Sequence, residues 1–198
     1  MSGEALKCGK FSDFGQSVLA RELKEFKVLM QSHGFPFFLI GGCCLGLIRD
    51  KAFLPHDKDI DVGIFEKVDL EQLKKVLETK YINVSISGVK HGKYMWANKV
   101  IKGALLVFEI QVHYRKDGKV FMNRDIEASA LQSYTHGRIE WDEKYFEQLE
   151  LISYPNGEQY WVPGHTEEYL TVQHGPWRIP VSYPDWRYHV RNLFEGWK

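Results

Sequence analysis

Residues 35–65 read FPFFLIGGCCLGLIRDKAFLPHDKDIDVGIF, and the rest of the chain is interpreted around this stretch. Near its end, Asp57, Asp59 and Asp61 occupy every second position. An apolar residue lies between Asp59 and Asp61, and another follows Asp61. Successive side chains of a β-strand point to opposite faces, so the three carboxylates are predicted to line one face of a strand. The apolar side chains fill the other face.

Three like charges on one face repel each other unless a cation lies between them. Carboxylate oxygens are the ligands that hard divalent cations prefer. The sequence therefore predicts that Asp57, Asp59 and Asp61 bind a divalent ion, Mg²⁺ or Mn²⁺.

A pair of glycines precedes the aspartates. The apolar residues 37–40 predict a short strand, Gly41 and Gly42 follow it, and a helical pattern then runs to Arg49. A strand that enters a helix through glycines brings backbone N–H groups close to a ligand, which suits a phosphate. Gly41, Gly42, Gly46 and Arg49 are therefore candidate phosphate- or nucleotide-binding residues. The alternatives are that the glycines serve a turn and close packing, and that Arg49 caps its helix.

These motifs resemble the LicD/fukutin family, which belongs to the nucleotidyltransferase-fold superfamily. The matching residues are Gly41, Gly42, Leu45, Gly46, Arg49, Pro55, Asp57, Asp59, Asp61, Gly63 and Ile64. Two positions depart from the family pattern, because Cys43 replaces a usual Thr or Ser and Lys58 replaces a frequent acidic residue.

A second group of family-like residues lies near the C-terminus. It comprises Val162, Pro163, Glu168, Tyr169, Leu170, His174, Gly175, Trp177 and Pro180. His174 stands where the family commonly has Tyr. The resemblance therefore extends from about residue 35 to about residue 184, with a less informative middle.

Residues 104–114 show the clearest remaining strand pattern. Phe108, Ile110 and Val112 share one face, while Glu109 lies on the other face with Gln111 and His113. A carboxylate in an apolar strand needs a partner, because its unpaired burial is costly. Glu109 either pairs with a basic residue or points at the same metal as the aspartates. The resemblance implies a third carboxylate on a strand beside the aspartate strand, and Glu109 is the candidate.

The other patterns complete an α/β prediction. Asp13 is predicted to cap a helix that ends at Gly34, and Asp69 to cap another. A C-terminal hairpin around Asn156-Gly157 and a short helix after it are predicted to form a cover. We expect one nucleotidyltransferase-like domain over residues 1–198, a mixed β-sheet with flanking helices. Its core spans about 13–125 and its cover about 126–198, and residues 124–148 show no clear pattern.

Composition excludes some classes of function. The chain has 198 residues, 44% of them hydrophobic, and its 26 basic and 26 acidic residues give no net charge. A strong nucleic-acid binder usually has a basic excess, so no nucleic-acid partner is expected. The sequence contains no run of about 18 apolar residues, so no transmembrane segment is expected. Three cysteines make no disulfide framework, so a reducing cytoplasm is the expected location.

The family resemblance implies a function. It implies transfer of a phosphorylated group, such as phosphocholine or an alditol phosphate, from a CDP-activated donor to a hydroxyl of a glycan. Asp59 and Asp61 would hold the metal, and Glu109 would complete its ligands or accept the acceptor's proton. His56 and His113 could line the site.

Two alternatives remain open at this stage. One is a nucleotidyltransferase that moves a nucleoside monophosphate onto a small molecule; the other is a catalytically silent binding module on the same fold. The glycine turn and the aspartates fit the first alternative equally well, whereas complete carboxylates argue against the second. In addition, Tyr94 and Trp96 could stack a cytosine ring.

Overall fold

The computed structural model describes residues 6–89, 92–128, 133–154, 157–181 and 193–195. Among these residues the helices are α1 (Phe11–Phe14), α2 (Gln16–Ser32), α3 (Gly41–Arg49), α4 (Leu70–Leu77), α5 (Lys144–Glu147) and α6 (Thr166–His174). The strands are β1 (Phe38–Leu39), β2 (Asp59–Phe65), β3 (Ile82–Val89), β4 (Gly92–Ile101), β5 (Ala104–Lys116), β6 (Lys119–Ala128), β7 (Ser133–Asp142), β8 (Glu150–Ser153), β9 (Gln159–Val162) and β10 (Leu193–Glu195). The prediction of a mixed α/β fold of nucleotidyltransferase type is confirmed.

The long strand β5 organises the sheet. It pairs in parallel with β2 on one side and antiparallel with β4 on the other, and its last residues pair with β6. Strand order in the main sheet is β1-β2-β5-β6-β7-β10, with β4 also on β5 and β3 on β4. Strand β5 therefore lies between β4 and β2, the strand that carries the aspartates.

One face of this sheet is apolar and lies under α2. Ile60, Val62 and Ile64 of β2 are fully buried on this face, as the sequence alternation predicts. Phe26 of α2 stacks on Phe108 of β5 with ring centroids 4.7 Å apart. Burial of each such side chain stabilises the fold by roughly 1.5–3 kcal/mol, so this face anchors the strands that carry the polar face.

Aromatic residues from the C-terminal half cover part of the opposite face. Trp141 of β7 stacks on His113 at 5.5 Å, and Phe146 of α5 lies 5.6 Å from the same ring. Tyr169 of α6 packs against both Trp141 and Phe146. The predicted hairpin appears as β8 and β9, and β9 lies beside β1.

The part of the chain expected to form the cover continues the main sheet. The boundary near residues 125–126 falls inside β6, which pairs with β7 throughout its length. Buried apolar residues from Phe11 to Trp177 also form one continuous cluster. The turn residue Asn156 lies outside the described residues, as do residues 182–192 and 196–198 of the cover.

Two local predictions for helix starts have different outcomes. Asp69 caps α4 as predicted, because its carboxylate accepts hydrogen bonds from the backbone N–H groups of Glu71 and Gln72. The prediction for Asp13 was wrong. Asp13 lies inside α1, where its carboxylate accepts a hydrogen bond from the Lys10 backbone N–H, and Gly15 separates α1 from α2. A glycine in the left-handed region breaks what the sequence pattern presents as one helix.

No helix in the described part of the chain is both long and apolar enough to span a membrane.

His113 gives the fold a predictable sensitivity to acid. Its ring is fully buried and its Nδ1 lies 3.1 Å from the carbonyl oxygen of Gln111. Burial lowers the pKa of His113 from 6.5 to about 4. The unfolded chain takes up this proton near pH 6.5 and the native protein only near pH 4, so stability falls as the pH drops through this window.

We therefore expect His113→Gln to remove about 3 kcal/mol of the acid dependence of unfolding between pH 7 and pH 4. Urea unfolding of the metal-free protein across this range would measure the slope. His33→Gln, at an exposed histidine, is the matched control and should keep the wild-type slope. An unchanged slope in His113→Gln would contradict the assignment.

Candidate active site

Three carboxylates from two parallel strands meet on the polar face of the sheet. Asp61 of β2 is the register partner of Glu109 of β5, and Asp59 lies two residues earlier on the same face. One oxygen from each of the three carboxylates lies within 4.8 Å of the other two. Asp59 and Asp61 are partly buried, and Glu109 is only 5% exposed. The structure thus places Glu109 beside the aspartates, from the neighbouring strand predicted by the sequence.

The start of α3 fixes the position of Asp61. The backbone N–H of Gly42 donates to Asp61 Oδ2 at 3.3 Å. The N-cap residue, Ile40, has an apolar side chain that cannot accept a hydrogen bond from the helix. A helix N-terminus carries unpaired N–H groups and the positive end of the helix dipole, so it stabilises this carboxylate in its charged form. Asp61 therefore acts as the cap of α3.

Gly41 and Gly42 have specific reasons to be glycine. Gly41 has a φ of 54°, and a Cβ there would lie 2.6 Å from Asp61 Oδ2. A Cβ on Gly42 would lie 2.2 Å from Asp57 Oδ2. Both distances are far below van der Waals contact. The glycines thus make room for carboxylates, and their proposed contact with a phosphate stays a prediction.

Gln111 is a site residue to which the sequence analysis gave no role. Its Nε2 donates to Glu109 Oε1 at 3.1 Å and lies 3.3 Å from Asp61 Oδ1. The side chain is 6% exposed, so this amide is held inside the cluster. The alternation that placed Gln111 on the face of Glu109 was the available signal, but the contact with Asp61 required the register of β2 against β5.

Cys43 of α3 contacts the backbone of β2. Its Sγ accepts a hydrogen bond from the Asp61 backbone N–H at 3.3 Å and lies 4.0 Å from the Asp59 carbonyl oxygen. Burial raises the pKa of the Cys43 thiol, and the charge of Asp61 raises it further, so the thiol stays protonated. The cysteine therefore packs against β2 and accepts a hydrogen bond from its backbone.

Asp57 does not join the carboxylate cluster, and this corrects the prediction of three aspartates on one strand face. Strand β2 begins at Asp59, so the alternation does not reach back to Asp57. The Asp57 carboxylate lies against Gly42 instead. Burial raises its pKa, against the opposing effect of the nearby His56 and Arg49. Asp57 is not among the three residues of the carboxylate cluster, and a metal-binding role for it stays a prediction.

Arg49 and Gly46 have structural roles in α3. Arg49 forms a two-pronged ion pair with Asp50, both distances being 2.8 Å, and donates from Nη1 to the Trp177 carbonyl at 3.3 Å. It thereby ties α3 to the C-terminal segment. A Cβ on Gly46 would lie 2.5 Å from the Ala52 carbonyl oxygen, so this glycine permits close packing. A phosphate role for either residue stays a prediction.

The cluster fits a divalent cation by its chemistry. Its donors are carboxylate oxygens, which suit Mg²⁺ and Mn²⁺. Their spacing allows a shared ion after small side-chain movements. Asp59, Asp61 and Glu109 are the residues that could hold it.

Two of the three α3 glycines, Gly42 and Gly46, should respond differently to alanine. We expect Gly42→Ala to displace Asp57 and the start of α3, and so to reduce the thermal stabilisation expected on adding Mg²⁺ or Mn²⁺. Gly46→Ala should instead cost about 1–3 kcal/mol of stability by overpacking against backbone, while the metal response persists. Thermal unfolding with metal and with a chelator measures both. A wild-type metal response in Gly42→Ala would count against this prediction.

Comparison with known proteins supplies the family. Residues 34–165, two thirds of the chain, match the family described as LicD/FKTN/FKRP, nucleotidyltransferase domain. The matched range contains the glycine turn and all three clustered carboxylates, whereas the C-terminal resemblance around Tyr169 and Trp177 lies beyond it. A search of curated proteins found no match. With a match of this extent, the chain belongs to the LicD/FKTN/FKRP family.

Proposed function

We propose that this protein transfers a phosphorylated group, phosphocholine or an alditol phosphate, from a CDP-activated donor to a hydroxyl of a glycan, and that it requires Mg²⁺ or Mn²⁺. Family membership supports a transferase of phosphotransferase type acting on glycans. The observation that carries the proposal is the cluster of Asp59, Asp61 and Glu109 beside the start of α3. This arrangement suits a reaction in which negative charge grows on a diphosphate.

Asp59, Asp61 and Glu109 would hold the divalent ion. When bound, such an ion neutralises charge on phosphate oxygens and aligns the reacting groups. Glu109 either completes the metal ligands or accepts the proton of the attacking hydroxyl. Gln111 orients Glu109 and Asp61 through its amide, so both carboxylates are positioned before substrate arrives.

The start of α3 would face the phosphates. Its backbone N–H groups carry partial positive charge, and the Gly42 N–H already binds one anion, the Asp61 carboxylate. Gly41 and Gly42 are therefore the proposed phosphate contacts. Arg49 is a further proposed phosphate contact, for which it would have to leave its ion pair with Asp50.

Nucleotidyl transfer onto a small molecule would use the same carboxylates, and its products distinguish it. Phosphoryl-alcohol transfer from a CDP-linked donor releases CMP. Transfer of a nucleoside monophosphate from a nucleoside triphosphate releases pyrophosphate. The complete carboxylate cluster argues against the silent binding module.

The donor class can be tested without knowing the acceptor. We expect CDP, CDP-choline, CDP-ribitol and CDP-glycerol to raise the unfolding temperature in the presence of Mg²⁺, because ligands that bind only the native state stabilise it. The effect should vanish with a chelator. An equal effect of ATP, or stabilisation that is indifferent to the chelator, would contradict the proposed donor.

Single carboxylate variants test the cluster. We expect Asp59→Asn and Glu109→Gln each to abolish metal-induced stabilisation and to lower CMP release more than about a hundredfold, since a bound metal contributes several kcal/mol to catalysis. Asp61→Asn should do the same, but it also replaces one of the two oxygens that accept from Gly42 and Gln111, so its stability needs separate measurement.

Asp117→Asn, in the exposed β5–β6 turn, is the matched control, because asparagine tolerates the left-handed backbone there. It should behave as wild type in both assays. Near-normal turnover in Glu109→Gln would remove Glu109 from the site.

A further inference from the structure

Two aromatic residues share the sheet face of the carboxylates. In the antiparallel pairing of β4 with β5, Trp96 lies opposite Glu109 and Tyr94 lies opposite Gln111. Residues that are directly opposite in such a pair point to the same face of the sheet. Asp61, Glu109 and Trp96 therefore form one row across β2, β5 and β4.

Trp96 is exposed in a part of β4 that is otherwise well packed. Its neighbours Met95 and Ala97 are fully buried on the apolar face, whereas Trp96 is 38% exposed. The Tyr94 ring supports it, with centroids 5.1 Å apart and planes at 60°. An indole kept partly in water beside a polar cluster loses burial energy, which a ligand-binding role would explain.

The spacing of the strands fits one ligand across the row. A cation held between β2 and β5 lies about one and a half strand spacings from β4, or roughly 7 Å. That distance is comparable to the span of a ribose between a phosphate and its base. A nucleotide whose phosphates lie at the carboxylates can therefore extend its base along the row to Trp96.

We propose that Trp96, supported by Tyr94, is the stacking platform for the nucleobase of the donor. This inference rests on the proposed function, because it assumes that the donor's diphosphate binds at the carboxylates. Every base has a π-face that can stack on an indole. A single indole face suits a planar ring, whereas a quaternary ammonium group is bound best by a cage of several aromatic rings.

The experiment separates the base from the phosphates. Calorimetric titration with Mg²⁺ present would compare CDP with inorganic pyrophosphate, which has no base. We expect Trp96→Ala to weaken CDP binding roughly tenfold or more. Pyrophosphate binding should change less than about twofold, since pyrophosphate makes no stacking contact. Trp96→Phe, which keeps an aromatic face, should recover most of the CDP affinity.

Trp161→Ala is the matched control, because Trp161 is also an exposed tryptophan, 45% exposed, on β9 of the other sheet. It should leave both affinities at the wild-type values. Circular dichroism and thermal unfolding would confirm that Trp96→Ala is folded.

The outcomes distinguish this inference from the proposed function. Wild-type protein that binds CDP with Mg²⁺, together with a Trp96→Ala variant that matches Trp161→Ala, overturns the platform and leaves the function intact. Equal losses for CDP and pyrophosphate also overturn it, because Trp96 would then support the carboxylates. A loss of phosphocholine binding without a loss of CDP binding would assign the wall to choline and likewise overturn it. Wild-type protein that binds neither CDP nor pyrophosphate refutes the proposed function itself.

Discussion

Electrostatic repulsion among Asp59, Asp61 and Glu109 is the constraint on which the rest of the structure depends. Three carboxylates within 4.8 Å of one another oppose folding unless donors or a cation stabilise them. The chain supplies donors from two directions: the start of α3 reaches Asp61, and the Gln111 amide reaches Asp61 and Glu109. The contact of Gln111 with Asp61 requires the parallel pairing of β2 with β5, whereas the contact from α3 requires only that α3 lie against β2.

The apolar face of the sheet stabilises the fold and offsets the repulsion among the carboxylates on the polar face. The side chains that alternate with the carboxylates on β2 and β5 are fully buried under α2, as Ile60 and Phe108 show. Further along the polar face, Trp141 and Phe146 pack on the His113 ring, which is fully buried. Apolar burial on both sides of the cluster thus holds the strands rigid against their local repulsion.

The sequence could predict what local alternation controls. Asp59, Asp61 and the face of Glu109 follow from the period of a strand, and the glycine turn follows from its position before a helix. It could not predict where a strand begins, and β2 starts too late to include Asp57. Nor could it predict strand register, which places Gln111 beside Gly63 and Trp96 in the same row as Asp61. The role of Arg49 was hidden because its carbonyl partner, Trp177, lies 128 residues away. Residues 124–148 show no clear pattern, so the pairing of β6 with β7 was also beyond prediction.

The choice of an amide at position 111 has an electrostatic consequence. A lysine or arginine there would also satisfy Asp61 and Glu109, but it would cancel charge and compete with a metal ion for the same oxygens. The Gln111 amide donates hydrogen bonds while leaving the carboxylate charge in place. Its neutral donors therefore order the side chains without lowering the attraction of the cluster for a divalent cation. The partial charge of the α3 N-terminus acts in the same way on Asp61, because it stabilises the anion without filling the position of an ion.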